Sequence, residues 1–181
     1  TMKTNYSCCR RQLLGLAALA AIGITTGCSD RADEARAVAP VEIDASTSCD
    51  LDGMLLADYP GPKAQIHYAG AATPMFMCDT VEMFNTLLRP EQVRKVEAVY
   101  VQDMGKTDWE KPRGNWIDAK TGFYVLGSKR HGSMGPTIAS FSQEADAAKF
   151  VATHGGKILR FGDIKPDMVD LSGGALHDTR M

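Results

Sequence analysis

Apolar residues recur at helical pitch in two stretches of the chain, and each stretch is flanked by short β-prone runs cut by glycine and proline. In "DTVEMFNTLLRP", Val81, Phe84, Leu87 and Leu88 fall on one helical face, Asp79 or Thr80 is placed to cap the start, and Pro90 lies just past the end. In "SQEADAAKFVATHGG", Ser142 opens a run whose stripe is read as Ala145, Ala148, Phe150 and Val151, stopping at Gly155-Gly156. The runs "MLLADY" and "KAQIHYAG", parted by the turn signal "PGP", precede the first helix as strands, and "VEAVYVQDM" follows it. "GNWIDA", "GFYVLGS" and "TIASF" precede the second helix, and "KILRFGDI" follows it. "QIHYAG" before Pro74 also matches "FYVLGS" before Pro136 in pattern, each proline leading into a short β-like run, a helix and a strand. The expectation is an α+β fold, a tandem of two small ββαβ-type units with antiparallel sheets, spanning about 49–104 and 105–165.

The chain ahead of this domain has a different texture. Lys3, Arg10 and Arg11 precede the apolar run "LLGLAALAAIGI", which is short for a membrane span and is followed by "TTGC". Basic, apolar and small-residue regions in that order read as a secretory signal over residues 1–27. Cleavage before a cysteine is the bacterial lipoprotein pattern, so Cys28 is the expected site of lipidation. Residues 28–48 are small, polar and charged, and read as a flexible lipid-anchored linker; the tail 166–181 has no sustained period and is expected to be mobile. A formal net charge of −2 points to neither nucleic acid nor a polybasic membrane surface.

Export changes what the remaining cysteines can mean. Beyond Cys28 only Cys49 and Cys78 are left. Two thiols in an exported protein pair by default, yet the domain is long enough to bury a core without a staple, so both a disulfide and free thiols stay open. Several methionines stand beside turn residues rather than on an apolar stripe: Met54 after Gly53, Met104 before Gly105, and Met134 in "KRHGSMGP", three residues beyond His131. Met83, next to Phe84 on a helix, reads as core filling. Thioether and thiolate sulfurs select Cu(I), with imidazole an acceptable companion, whereas zinc favours several thiolates or histidines and calcium needs carboxylate runs. Cys49, Met134 and one of Met54 or His131 would satisfy Cu(I) at low coordination number. Each has a plain alternative: Met54 and Met134 as packing residues, His131 as a solvated neighbour of Lys129 and Arg130. Asp103, Asp108 and Asp118 offer carboxylates, but no nucleophile stands beside a base and no phosphate cradle occurs, so an enzyme is not expected. Trp109 and Trp116 read as packing or docking residues in a loop.

The strings "DGMLLADYPGPKAQI", "VEAVYVQDMGKTDWE", "NWIDAKTGFYVLGSKRHGSMGPTIASFS" and "HGGKILRFGDI", in that order, closely resemble the NosL family, lipoprotein accessories of bacterial nitrous oxide reductase assembly. The likeness covers nearly all of Cys49 to Ile164 and the cysteine at the end of the signal. It implies a chaperone delivering Cu(I) for the reductase's tetranuclear copper–sulfide centre. The implied partners are the reductase or its copper-site assembly machinery, including a membrane transporter complex. The implied location is the periplasmic side, on the outer membrane in preference to the inner. The family fold of two ββαβ-type units agrees with the repeat read above. Family members often carry cysteine directly before Gly-Met, where this chain has Asp52, its cysteine standing at Cys49. The expected metal set is therefore Cys49, Met54, His131 and Met134, with Cys78 and Met75 in reserve. The alternatives are a thiol–disulfide protein and a metal-free scaffold lipoprotein serving the same or another periplasmic assembly system.

Overall fold

The Pro60-Gly61-Pro62 turn releases the chain into Ala64–Tyr68 (β1), every residue of which is buried, and the first sheet is laid around this strand. The computed structural model describes residues 38–171. On one side β1 pairs antiparallel with Met75–Met77 (β2), Ala64 opposite Met77; on the other it pairs with Val96–Gln102 (β3), Ala64 opposite Val101. Trp116–Asp118 (β4) extends the outer edge, giving the order β2-β1-β3-β4. Between β2 and β3 runs Thr80–Leu88 (α1), started by the Asp79 carboxylate, which accepts the Val81 N–H.

The second half repeats this plan. Phe123–Leu126 (β5) leads into a small hairpin of His131–Gly132 (β6) and Gly135–Pro136 (β7), then Ala139–Phe141 (β8), the helix Glu144–His154 (α2) and Lys157–Arg160 (β9). The sheet order is β8-β5-β9, so β5 is central as β1 is, and both halves are ββαβ with the first strand in the middle. Helix α2 ends at Gly155, at φ +74°, whose N–H returns to the Val151 carbonyl.

The halves share a core. Ile66, Met77, Met83, Phe84, Val99 and Val101 from the first pack with Tyr124, Ile138, Leu159 and Ile164 from the second. A buried Phe84 or Met83 contributes about 2 kcal/mol by transfer from water. A second cluster, around Met104, Trp109, Val125, Phe141 and Ala147, lies under α2.

The structure corrects several sequence expectations. "MLLADY" is not a strand: Gly53, at φ +78°, and the prolines after Tyr59 leave room only for a bridge between Ser48 and Leu55 and a 3-10 turn over Leu56–Asp58. The strand partner of β1 is instead the run after Pro74. "NWIDA" supplies β4 to the first sheet, so pairing crosses the expected boundary at 104/105. The core face of α2 is Ala147, with Phe150 and Val151, whereas Ala145 and Ala148 are exposed.

Order begins ahead of Cys49. Gln65 bonds both the N–H and the carbonyl of Val41 (2.8 and 2.9 Å), Arg113 donates to the Ile43 carbonyl (2.8 Å), Tyr100 donates to that of Val38, and Ile43 is buried. At the other end, Pro166–Met168 forms a 3-10 turn and Val169 is buried, its carbonyl accepting from Asn85 (2.9 Å). The stretches 38–48 and 166–169 thus belong to the folded body rather than to a linker or a tail. The signal, Cys28 and the last ten residues lie outside the described residues. Among the described residues no helix is long and apolar enough to cross a membrane.

Candidate metal centre

Cys49 opens a tight loop that Gly53 closes. The Cys49 N–H bonds the Met54 carbonyl (2.8 Å), the Gly53 N–H returns to the Cys49 carbonyl (2.9 Å), and Asp52 accepts the Met54 N–H (2.9 Å). Asp50 fastens this loop to the edge of β2: its N–H donates to the Phe76 carbonyl (2.9 Å) and its carboxylate accepts the Phe76 N–H (2.6 Å). Strand alternation along "MFMC" then decides which side chains meet the loop. Met75 and Met77 turn to the main core, while Phe76 and Cys78 turn to Cys49.

The two cysteines are buried and free, and both thiols donate to one oxygen of Glu82, each at 3.3 Å. Glu82 stands in the first turn of α1, and the same oxygen accepts the Cys78 N–H (3.0 Å). Asp52 completes a group in which one donor atom from each of Cys49, Asp52, Cys78 and Glu82 lies within 4.8 Å of every other. Cys49 and Cys78 share a buried cluster with Ile43 and Leu56, and Met54, Phe76, Trp116 and Met134, each partly buried, pack against that cluster. A hydrogen bond with Cys49, burial and the neighbouring Glu82 charge push the Cys78 thiol well up. Burial also raises Glu82, against the pull of the hydrogen bonds from Cys78 and Cys49.

Met134 arrives from the other half of the fold. Gly132 pairs with Gly135, so Ser133 and Met134 are the two turn residues of the β6–β7 hairpin. Glycine is required where this hairpin seats. A Cβ on Gly61 would stand 2.7 Å from the Gly132 Cα, and one on Gly132 would stand 2.3 Å from the Asp79 carboxylate. Gly61 is also at φ +81°, which costs a side-chain-bearing residue about 1–2 kcal/mol. Adding an overpacking term of about 1–3 kcal/mol, Gly61→Ala is expected to lower stability by about 2–5 kcal/mol, read as a shifted urea midpoint at unchanged slope.

Of the expected metal set, Cys49, Met54 and Met134 come together, joined by the reserve residue Cys78. His131 is exposed, its carbonyl accepting from the Trp109 ring N–H (3.0 Å), and its side chain lies outside the four-residue donor group. Met75 packs on the main core instead. Sequence reasoning passed over Glu82, Asp52 and Lys63. The first had a signal: an acid three residues after the Asp79 cap reaches back over the helix start to whatever precedes it. Lys63 is fully buried, and burial drives it down to about 8, opposed by the charges of Asp79, Cys78 and Glu82. Burial pushes Asp79 up to about 6, and one of its oxygens has no hydrogen-bond partner among the described residues.

The profile of the NosL family matches residues 40–169. The chain belongs to the NosL family. Among its NosL relatives, the copper-binding lipoprotein NosL of Stutzerimonas stutzeri is 37% identical over 169 residues, covering 90% of this chain and 87% of that protein. The copper-binding lipoprotein NosL of Achromobacter cycloclastes is 36% identical over 164 residues, covering 88% and 84%. The crystal structure of the copper chaperone NosL from Shewanella denitrificans superposes with a TM-score of 0.68 at 39% identity, over 72% of this chain and 98% of that one. The NosL likeness extends through both ββαβ halves and the loops that carry Cys49, Cys78 and Met134.

Proposed function

We propose that this protein is a Cu(I) metallochaperone, held at the periplasmic side of a membrane, the outer in preference to the inner, by a lipid on Cys28. It hands copper to the machinery that builds the tetranuclear copper–sulfide centre of nitrous oxide reductase, a membrane transporter complex included. The observation that carries the copper reading is that two free thiols and the methionines Met54 and Met134, from three separate segments, belong to one packed cluster. Neutral thioethers and thiolates are soft donors that suit Cu(I). The names of its relatives, copper-binding lipoprotein and copper chaperone, support binding and transfer rather than catalysis.

A second reading has its own observation. Two thiols with the carboxylates of Glu82 and Asp52 form a set that zinc also accepts. The thioethers separate the two, because Met54 and Met134 would add affinity for Cu(I) and little for zinc. The test is an anaerobic titration of the reduced protein with Cu(I) against a competing chelator, run in parallel with Zn²⁺. One Cu(I) per chain is expected, weakened by Met134→Ala, with zinc affinity unmoved by that change. No uptake of Cu(I) above background overturns the proposal.

A further inference from the structure

Lys63 has no part in the copper reading so far, yet its placement is costly. It is fully buried, and its ammonium donates to the Pro60 carbonyl (2.9 Å), the Cys78 carbonyl (3.1 Å) and the Ser133 hydroxyl (2.6 Å). Among the described residues no carboxylate stands within ion-pair distance of it; the ion pairs there are Lys106–Asp103, Arg130–Glu110 and Lys149–Asp146. A buried ammonium satisfied only by neutral oxygens is less stable than a well-packed apolar side chain of the same size.

Its three acceptors lie on three segments that meet at the sulfur cluster: the turn after the Cys49 loop, the end of β2 at Cys78, and the hairpin turn beside Met134. Ser133 completes the joint by donating its hydroxyl to the Cys78 carbonyl (2.6 Å). The main-chain carbonyl of one soft donor and the residue adjoining another are therefore held by the same ammonium.

Resting on the copper reading above, we propose that Lys63 is the positioning residue of the site. With Ser133 it clips the Met134 hairpin to the Cys78 strand end, so that the thioether is delivered to the thiol pair. The clip acts through Met134 and leaves the thiols where the Cys49 loop and Glu82 put them.

The test is a double-mutant cycle on the reduced protein, with Cu(I) affinity read anaerobically against a chelator. Lys63→Leu is expected to weaken binding by about tenfold, the lower end of the range for outer-shell partners of metal ligands. Combined with Met134→Ala it should add little to what Met134→Ala costs alone, while the thiolate-to-copper absorption persists. Losses that multiply independently overturn the proposal, as does a Lys63→Leu protein that loses the thiolate absorption. Should Lys63→Leu fail to fold, Ser133→Ala removes the clip from its other end, and the same non-additivity is expected. A copper-free readout separates the clip from the copper reading itself. With ¹³C-methyl methionine, Lys63→Leu should move the Met134 resonance and leave Met83 in place, and an unmoved Met134 signal overturns the clip whether or not the protein takes copper.

Discussion

Replacing Cys78 with alanine is expected to lower Cu(I) affinity by roughly a hundredfold or more, whereas His131→Ala should leave it within about twofold. The first magnitude follows from the ~10–16 kcal/mol that four ligands supply to a structural zinc, or about 3 kcal/mol per ligand, each 1.4 kcal/mol being tenfold. Cys78 is fully buried and its thiol points at Cys49 and Glu82, so no other side chain can take its place without moving β2. His131 is exposed on the outer face of its hairpin and contributes its carbonyl, not its ring, to the fold. Competitive chelator titration of both variants checks the contrast. Loss of binding in His131→Ala together with retention in Cys78→Ala would mean that the sulfur cluster is core and that the metal binds at the surface. Small-residue replacement of a buried cysteine costs on the order of 1 kcal/mol of stability, so a cooperative thermal transition in Cys78→Ala separates ligand loss from unfolding.

The repeat was legible in the chain because it is written in local signals: a proline, a short β-prone run, a capped helix and a strand, twice. Asp79 as the cap of α1 and Gly155 as the stop of α2 came from the same short-range chemistry. Pairing was not legible. "MLLADY" has the residues of a strand, but Gly53 and the prolines after it bend it into a turn, and the true partner of β1 is the less conspicuous "MFM". That run also carried a signal about the candidate donors. Read with a period of two, "MFMC" puts Cys78 on the face opposite Met75 and Met77, so the reserve cysteine and the reserve methionine cannot serve the same site. Only the attachment of Asp50 to Phe76, across 26 residues, says which face meets Cys49. Lys63 was invisible for a related reason. A lysine after "PGP" reads as solvated, and nothing local announces that carbonyls from Pro60 and Cys78 and a hydroxyl from Ser133 will close over it.

Copper uptake at the proposed site is expected to weaken as the medium is acidified. A hydrogen bond with Cys49, burial and the charge of Glu82 hold the Cys78 thiol up, so at neutral pH the copper-free protein keeps that proton. Thiolate is the form that binds the metal, and the copper-loaded protein therefore carries fewer protons than the copper-free one. Lower pH favours the state with more protons, and affinity falls by about tenfold per pH unit for each proton released. Between pH 8 and 6 the expected slope is about one to two such steps, because Glu82, itself raised by burial, is placed to accept a proton from either thiol. Glu82→Gln removes a negative charge 3.3 Å from both sulfurs while keeping an oxygen to accept from them. The Cys78 thiol then ionises more easily, and Cu(I) affinity at pH 7 to 8 is expected to rise by about tenfold. The gap between the variant and the natural protein should close as acid protonates Glu82 in the latter, since a neutral carboxyl and an amide differ little beside a thiolate. Affinity measured across that range, with proton release recorded in weakly buffered solution, gives both slope and gap. A pH-independent affinity, or a weaker Glu82→Gln protein at every pH, would show that Glu82 holds the metal or the loop rather than the protons.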